Sequence, residues 1–278
     1  MRESTKHLKN QLNIQIARIE NLLDMDVLSI FGPIIPSLED EVKEAVEKIN
    51  DRKEGIAIIH DTPGGVVEVV ERMVTILRHH YKQVVFIIPN RAMSAGTVFA
   101  LSGDKIYMDY FSCLGPIDPQ IEKNIDGQLR LVPALSYINQ YNKFIQNAQE
   151  NKISSVEFAL FKEQFNLAEL ETFIQAQELT EDLLEKWLAE YKFKDWDKTE
   201  KEKKQRAKKI AKELNKYKQW HSHSRGINKE TLESLGLKIN DFSEIKDLDE
   251  VIKSYYGLLT DFMQNENMQL FIHNKEHF

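Results

Sequence analysis

The sequence predicts an α/β fold in which helices cover a parallel sheet. Three observations predict it. Short apolar runs alternate with amphipathic helical stretches over the first 110 residues. The runs Val27–Phe31, Gly55–Ile59 and Val84–Ile88 are apolar almost throughout, the mark of strands buried on both faces. Glycine and proline fall between these segments rather than inside them.

The elements follow in order. Residues 5–24 place Leu12, Ile14, Ile16, Ile19 and Leu22/Leu23 in a loose apolar stripe at helical spacing. Val27–Phe31 is a short strand, broken by Gly32, Pro33 and Pro36. Ser37 is positioned to cap a helix over 38–50. After a turn at 51–53, Gly55–Ile59 is a second strand and Asp61–Gly65 a tight turn. A helix over 66–80 shows Val67, Val70, Val74 and Leu77 on one face. Val84–Ile88 is the third strand, followed by the small-residue stretch 92–97 and a helix over 95–102. Lys105–Met108 is the fourth strand.

Past Pro133 the character changes. Residues 134–219 hold almost no glycine or proline and read as helical. The stretch 192–218 is rich in lysine interleaved with glutamate, and 200–218, with Ile210 and Leu214 on its buried side, reads as a solvated helix. Trp187, Trp196 and Trp220 flank it and are expected to pin these helices to the core. A helix over 227–235, a Gly236 cap, a strand at 237–239 and an amphipathic helix over 247–265 close the chain. This gives an N-terminal helix (1–24), a catalytic core (25–150), a helical insertion (151–219) and a C-terminal segment that completes the core (220–278).

Composition narrows the function. Hydrophobic residues make up 42% and charged residues 29%, so the chain should fold. A net charge of −7 disfavours general nucleic-acid binding. A single cysteine, Cys113, excludes an internal disulfide or a cysteine-based zinc cluster and fits a reducing compartment. No secretory leader and no membrane-length apolar run is evident, which points to the cytoplasm. The close histidine pairs, His79-His80 and His221-x-His223, lack further ligands at zinc spacing, so no metal is expected.

Chemistry is expected at Ser94. It sits between an apolar strand and a helix, at the end of a parallel sheet where α/β proteins place their sites. The helix start supplies unpaired N–H groups, and Ala95 and Gly96 allow close approach of a substrate. The Asp61–Gly65 turn follows a neighbouring strand. Backbone N–H groups of Gly64 or Gly65 and of Ala95 would then converge on one oxyanion.

These motifs carry a resemblance. HDTPGG (60–65), AMSAGT (92–97), LGPIDPQ (114–120) and WHSHSRGINKETLESLGL (220–237) resemble the serine dehydrogenase proteinase family. That family falls in the wider group of signal peptide peptidase A and the Clp protease proteolytic subunit. The resemblance implies a ClpP/crotonase spiral, Ser94 at the nucleophile position, an oxyanion hole from Gly64, Gly65 and Ala95, and a homo-oligomer. Residue 92 is alanine, so the nucleophile lies outside the Gly-x-Ser-x-Gly pattern of α/β-hydrolases. No Gly-x-Gly-x-x-Gly is present, and no cofactor is implied.

The general base is less plain. Related signal-peptide-peptidase-like enzymes use a lysine near a proline, but Val132-Pro133-Ala134 has none, and Lys123 and Lys143 fall off that position. Asp118 lies roughly where Clp-type subunits carry a histidine. His221 and His223 can supply the base; His223 is favoured, with Asp118 orienting it. His60 is a further candidate, expected to pack at the sheet edge. Three functions compete: a serine peptidase acting on peptides or proteins, a crotonase-type acyl-CoA enzyme, and a non-catalytic scaffold. Ser94 favours the first.

Overall fold

The computed structural model describes residues 3–118, 120–125, 128–215 and 225–278. Its centre is a six-stranded sheet. The strands are β1 (Asp26–Phe31), β2 (Gly55–Asp61), β3 (Gln83–Ile88), β5 (Lys105–Met108), β10 (Asn240–Asp241) and β11 (Phe271–His273). Their spatial order is β10-β5-β3-β2-β1-β11, parallel except for β11. Leu28, Ile58 and Phe86 align across β1, β2 and β3.

Alternation along each strand divides the core in two. Leu28, Ile30, Ile56, Ile58 and Phe86 face α2 (Leu38–Glu47), α3 (Val67–His80), α4 (Ala95–Leu101) and two later helices, α7 (Leu167–Trp187) and α8 (Glu200–Leu214). Val27, Ala57, Ile59, Val85 and Ile87 face α1 (Glu3–Leu23) and α10 (Leu248–Asn265). Both faces of the sheet are thus covered, which is why β1, β2 and β3 are largely apolar.

Beyond each strand the chain steps sideways before entering its helix. Ile34 bridges to Gly65 and Thr62 to Ala92, both in parallel. Arg91 and Ala92 form β4, which pairs in parallel with β6 (Cys113–Leu114). Residues Ile227–Asn228 form β9, antiparallel to β6. Successive βα units therefore stack like stair treads, and turns distant in sequence meet on one side.

Several elements depart from expectation. A hairpin, β7 (Gln120–Ile125) with β8 (Gln128–Pro133), precedes α5 (Ala134–Gln149) and α6 (Ser155–Gln164). Residues 227–235 divide into β9 and α9 (Lys229–Ser234), because the Asn228 side chain accepts the Thr231 N–H and starts the helix there. The strand expected at 237–239 starts at Asn240 instead, where β10 pairs with β5. Strand β11 is seated by His273, whose ring bonds the Tyr255 hydroxyl (2.8 Å) and the Asn13 amide oxygen (3.0 Å). Ser37 precedes α2 but makes no side-chain cap bond. Trp187 is buried as expected, whereas Trp196 is 41% exposed and meets the core through the Phe193 ring; Trp220 lies outside the described residues. Ile210 and Leu214 mark the buried side of α8. Among the described residues no helix is long and apolar enough to cross a membrane.

Candidate active site

Ser94 follows β4 and Met93 and occupies the position just before the first residue of α4. Its backbone lies at φ 50°, ψ −120°, a region that costs a residue with a Cβ about 1–3 kcal/mol. Its side chain makes no cap hydrogen bond. A serine that merely capped the helix would use its hydroxyl on the first turn. Here, among the described residues, the hydroxyl of this half-buried residue finds no hydrogen-bond partner.

Two interlocked turns hold this geometry. Met93 N–H donates to Thr62 O (3.1 Å) and Thr62 N–H to Arg91 O (3.0 Å). Gly64, at φ +104°, lies so close that an added Cβ would sit 2.8 Å from the Ser94 Cβ and 2.7 Å from Met93 O. A Cβ on Gly96 would sit 2.1 Å from Thr62 Cγ2. The two glycines therefore let each turn rest on the other. The 115 segment locks the far side: Thr97 Oγ1 accepts the Gly115 N–H (2.8 Å) and donates to Ala92 O (2.7 Å). Sequence reasoning missed Thr62 and Thr97. Their signal was only that each sits two or three residues from the motif glycines or serine, in a chain where neither threonine is exposed.

The amides divide in role. Gly64 N–H is bonded to Thr62 Oγ1 at 3.0 Å. Gly65 N–H and Ala95 N–H find no acceptor among the described residues, Ala95 being the first residue of α4. Gly65 is fixed by the Ile34 bridge on one side, where a Cβ would collide with Ile34 O at 2.0 Å.

The candidate bases are placed unevenly. His60 lies in the interior strand β2, not at a sheet edge, and is fully buried. Its Nδ1 bonds Ile30 O (2.9 Å), its ring meets Phe99 edge-on, and Nε2, beneath Gly96, has no partner among the described residues. Burial pushes its pKa down to about 4. Asp118 is buried three residues beyond Gly115, so its Cα lies within about 11 Å of the Gly115 Cα. His221 and His223 lie outside the described residues. Among the described residues no group of three metal-ligating side chains gathers.

A cavity of about 620 Å³ opens beside the Gly64 turn, lined by Phe31, Pro63, Arg91, Met263 and Met268, with Asp61 at its side. Asp61 accepts from Tyr256 OH (2.6 Å) and Asn90 Nδ2 (3.1 Å).

Comparison with known proteins finds relatives and a family. Two uncharacterized proteins of Methanocaldococcus jannaschii are similar. One is 31% identical over 170 residues, 53% of this chain and 58% of its own length; the other is 30% identical over 183 residues, 66% of this chain and 51% of its own. The chain thus spans little more than half the length of these relatives. Among solved structures, a mutant of a membrane-bound stomatin-specific protease aligns over 82% of each chain at 16% identity, with a TM-score of 0.46. The profile of one family, described as ClpP-like SDH-type serine proteinase, matches residues 1–268. With its stepped βα units and its serine at the mouth of two glycine turns, the chain belongs to the ClpP-like SDH-type serine proteinases.

Proposed function

We propose that this chain is a serine peptidase that cleaves peptide bonds through an acyl-enzyme on Ser94. The observation that supports the proposal is the strained Ser94, its hydroxyl unused in capping, packed against Gly64, with the Ala95 amide next in sequence and the Gly65 amide in the same turn as Gly64. Ser94 Oγ attacks the scissile carbonyl carbon while its proton passes to a base. The C–N bond breaks, the amine leaves with that proton, and water then hydrolyses the ester. The Gly65 and Ala95 amides receive the oxyanion, and Gly64 forms the wall on which the Ser94 side chain rests. Each such donor is worth about 10²–10³ in rate.

His223 acts as the base in this proposal, with Asp118 orienting it. His60 suits that role poorly, since a fully buried imidazole with a pKa near 4 is a weak acceptor. The cavity beside Pro63 and Arg91 takes substrate residues next to the scissile bond. Function as a homo-oligomer in the cytoplasm belongs to the same proposal.

Digestion of a mixed peptide library, read by mass spectrometry, tests it. Wild type should yield products, Ser94→Ala none, and His223→Ala about 10²–10⁴-fold fewer. Products from Ser94→Ala at the wild-type rate would refute the nucleophile. A full rate in His223→Ala would move the base elsewhere. Binding of coenzyme A without peptide cleavage would instead favour a crotonase-type enzyme.

A further inference from the structure

A second cavity, of about 640 Å³, lies at the opposite end of the sheet, at the amino ends of β3 and β5. Its position follows from Asp104, which lines it and accepts the N–H of Val84 at the start of β3 (2.8 Å). Four cations line it: Lys105 from β5, Lys192 from the end of α7, Arg206 from α8 and Lys238 from the loop after α9. Two carboxylates face them. Asp104 is already taken up by Arg78 (2.7 Å) and Lys194, and Asp195 lies on the exposed rim. In a chain of net charge −7 this is a concentrated positive site.

The cavity is built, not incidental. Helix α7 ends in a π-helical turn over Leu188–Lys192, closed by Phe193 N–H to Leu188 O at 2.9 Å. Single π turns of this kind recur at functional sites, and this one delivers Lys192 to the cavity. Arg206 crosses over Gly236 to donate to Leu235 O (2.7 Å). Gly236 sits at φ +88°, and a Cβ there would lie 1.6 Å from Arg206 Nη2. Phe193 and the exposed Trp196, 5.6 Å apart, give the cavity an apolar aromatic wall.

We infer that this cavity binds a small phosphorylated ligand bearing a flat aromatic group, a nucleotide being the type. Phosphate oxygens would meet Lys192, Lys238 and Lys105 and the remaining Arg206 N–H groups, and the base would lie on Trp196. The volume falls in the range of small-molecule sites. The state of Lys192 agrees. Burial lowers its pKa to about 7; Asp104 opposes that shift, and Lys238 and Lys105 add to it. An anion would restore the full charge, so binding should take up a proton. The proposal is independent of the peptidase reading.

Isothermal titration calorimetry of the full chain with AMP, ATP, adenosine and inorganic phosphate tests it. AMP and ATP should bind, and adenosine and phosphate at least about tenfold more weakly. Lys192→Met and Lys238→Ala should each weaken AMP about tenfold or more. Lys238 is exposed, so its variant serves if the other fails to fold. Trp196→Ala should weaken AMP but leave phosphate unchanged. Affinity for AMP should be higher near about pH 6 than about pH 8.5, and that difference should vanish in Lys192→Met. No AMP or ATP binding at about 1 mM, or binding undiminished in both lysine variants, overturns the site. Phosphate binding as tightly as AMP overturns the aromatic part of the assignment.

Discussion

At the carboxyl ends of β2 and β3 the chain turns on Gly64, Gly65 and Gly96 and sets Ser94 among backbone amides. At the amino ends of β3 and β5 it gathers Lys105, Lys192, Arg206 and Lys238 around an aromatic wall. The first end is made of backbone conformation, with little room for any side chain. The second is made of side chains from four separate segments, with a cavity left between them. The difference teaches what each end tolerates. A backbone site fails by collision, because a Cβ has nowhere to go. A charged cavity carries its cost in desolvation, which a mutation can relieve.

The sharpest test of that contrast is Gly64→Ala. The new Cβ would press on Met93 O and the Ser94 Cβ at a φ that disfavours side chains. Denaturant unfolding should show a loss of about 2–3 kcal/mol, and peptide cleavage should fall at least about 100-fold. Wild-type behaviour would mean that the two turns do not interlock as described.

A second effect separates the ends by pH. His60, beneath the Ser94 helix, has a folded pKa of about 4 against a usual value of 6.5. The unfolded chain therefore binds more protons between those values. Stability is full above pH 6.5 and falls as the pH drops towards 4, by about 2 kcal/mol at pH 5 from this one imidazole. His273, pushed down to about 3 by burial, adds in the same direction. Unfolding measured from pH 7 to 5 should show the slope, and His60→Gln should flatten it. An unchanged slope would mean that His60 is not held neutral.

The smallest effect has the same sign in a higher pH window. Lys192 carries a folded pKa of about 7, well below its usual 10.5. The native state is penalised while the unfolded chain keeps that proton, so stability climbs as pH rises from 7 towards 10. Because Lys192 is partly open to the cavity, Lys192→Met should stabilise the empty protein by only about 1 kcal/mol at pH 7. The gain should shrink towards pH 10. Destabilisation would show that Lys192 holds the fold rather than a ligand site.

The same contrast explains what the sequence disclosed. β1, β2, β3 and β5 were legible because strands buried on both faces are short, largely apolar runs. The Ser94 end was legible because its parts are short, contiguous and rich in glycine: residues 60–65 and 92–97. The cavity at the other end was not, since Lys105, Lys192, Arg206 and Lys238 are brought together only by packing. Each alone resembles a surface cation, and Trp196 resembled a core anchor. Strand β11 was hidden for a related reason. Three residues carry too little periodicity, and its seat depends on His273 meeting Tyr255 and Asn13 from far away in the chain. His60 was misplaced because its position within the sheet depends on strand order, which local sequence does not reveal.

The central claim is that Ser94 is an activated nucleophile, and intact-mass spectrometry after incubation with a fluorophosphonate probe tests it most directly. Wild type should gain one adduct per chain, and Ser94→Ala, which keeps the Cβ and hence the same backbone, should gain none. Folded wild-type protein that takes up no probe, or an adduct that persists in Ser94→Ala, would contradict it.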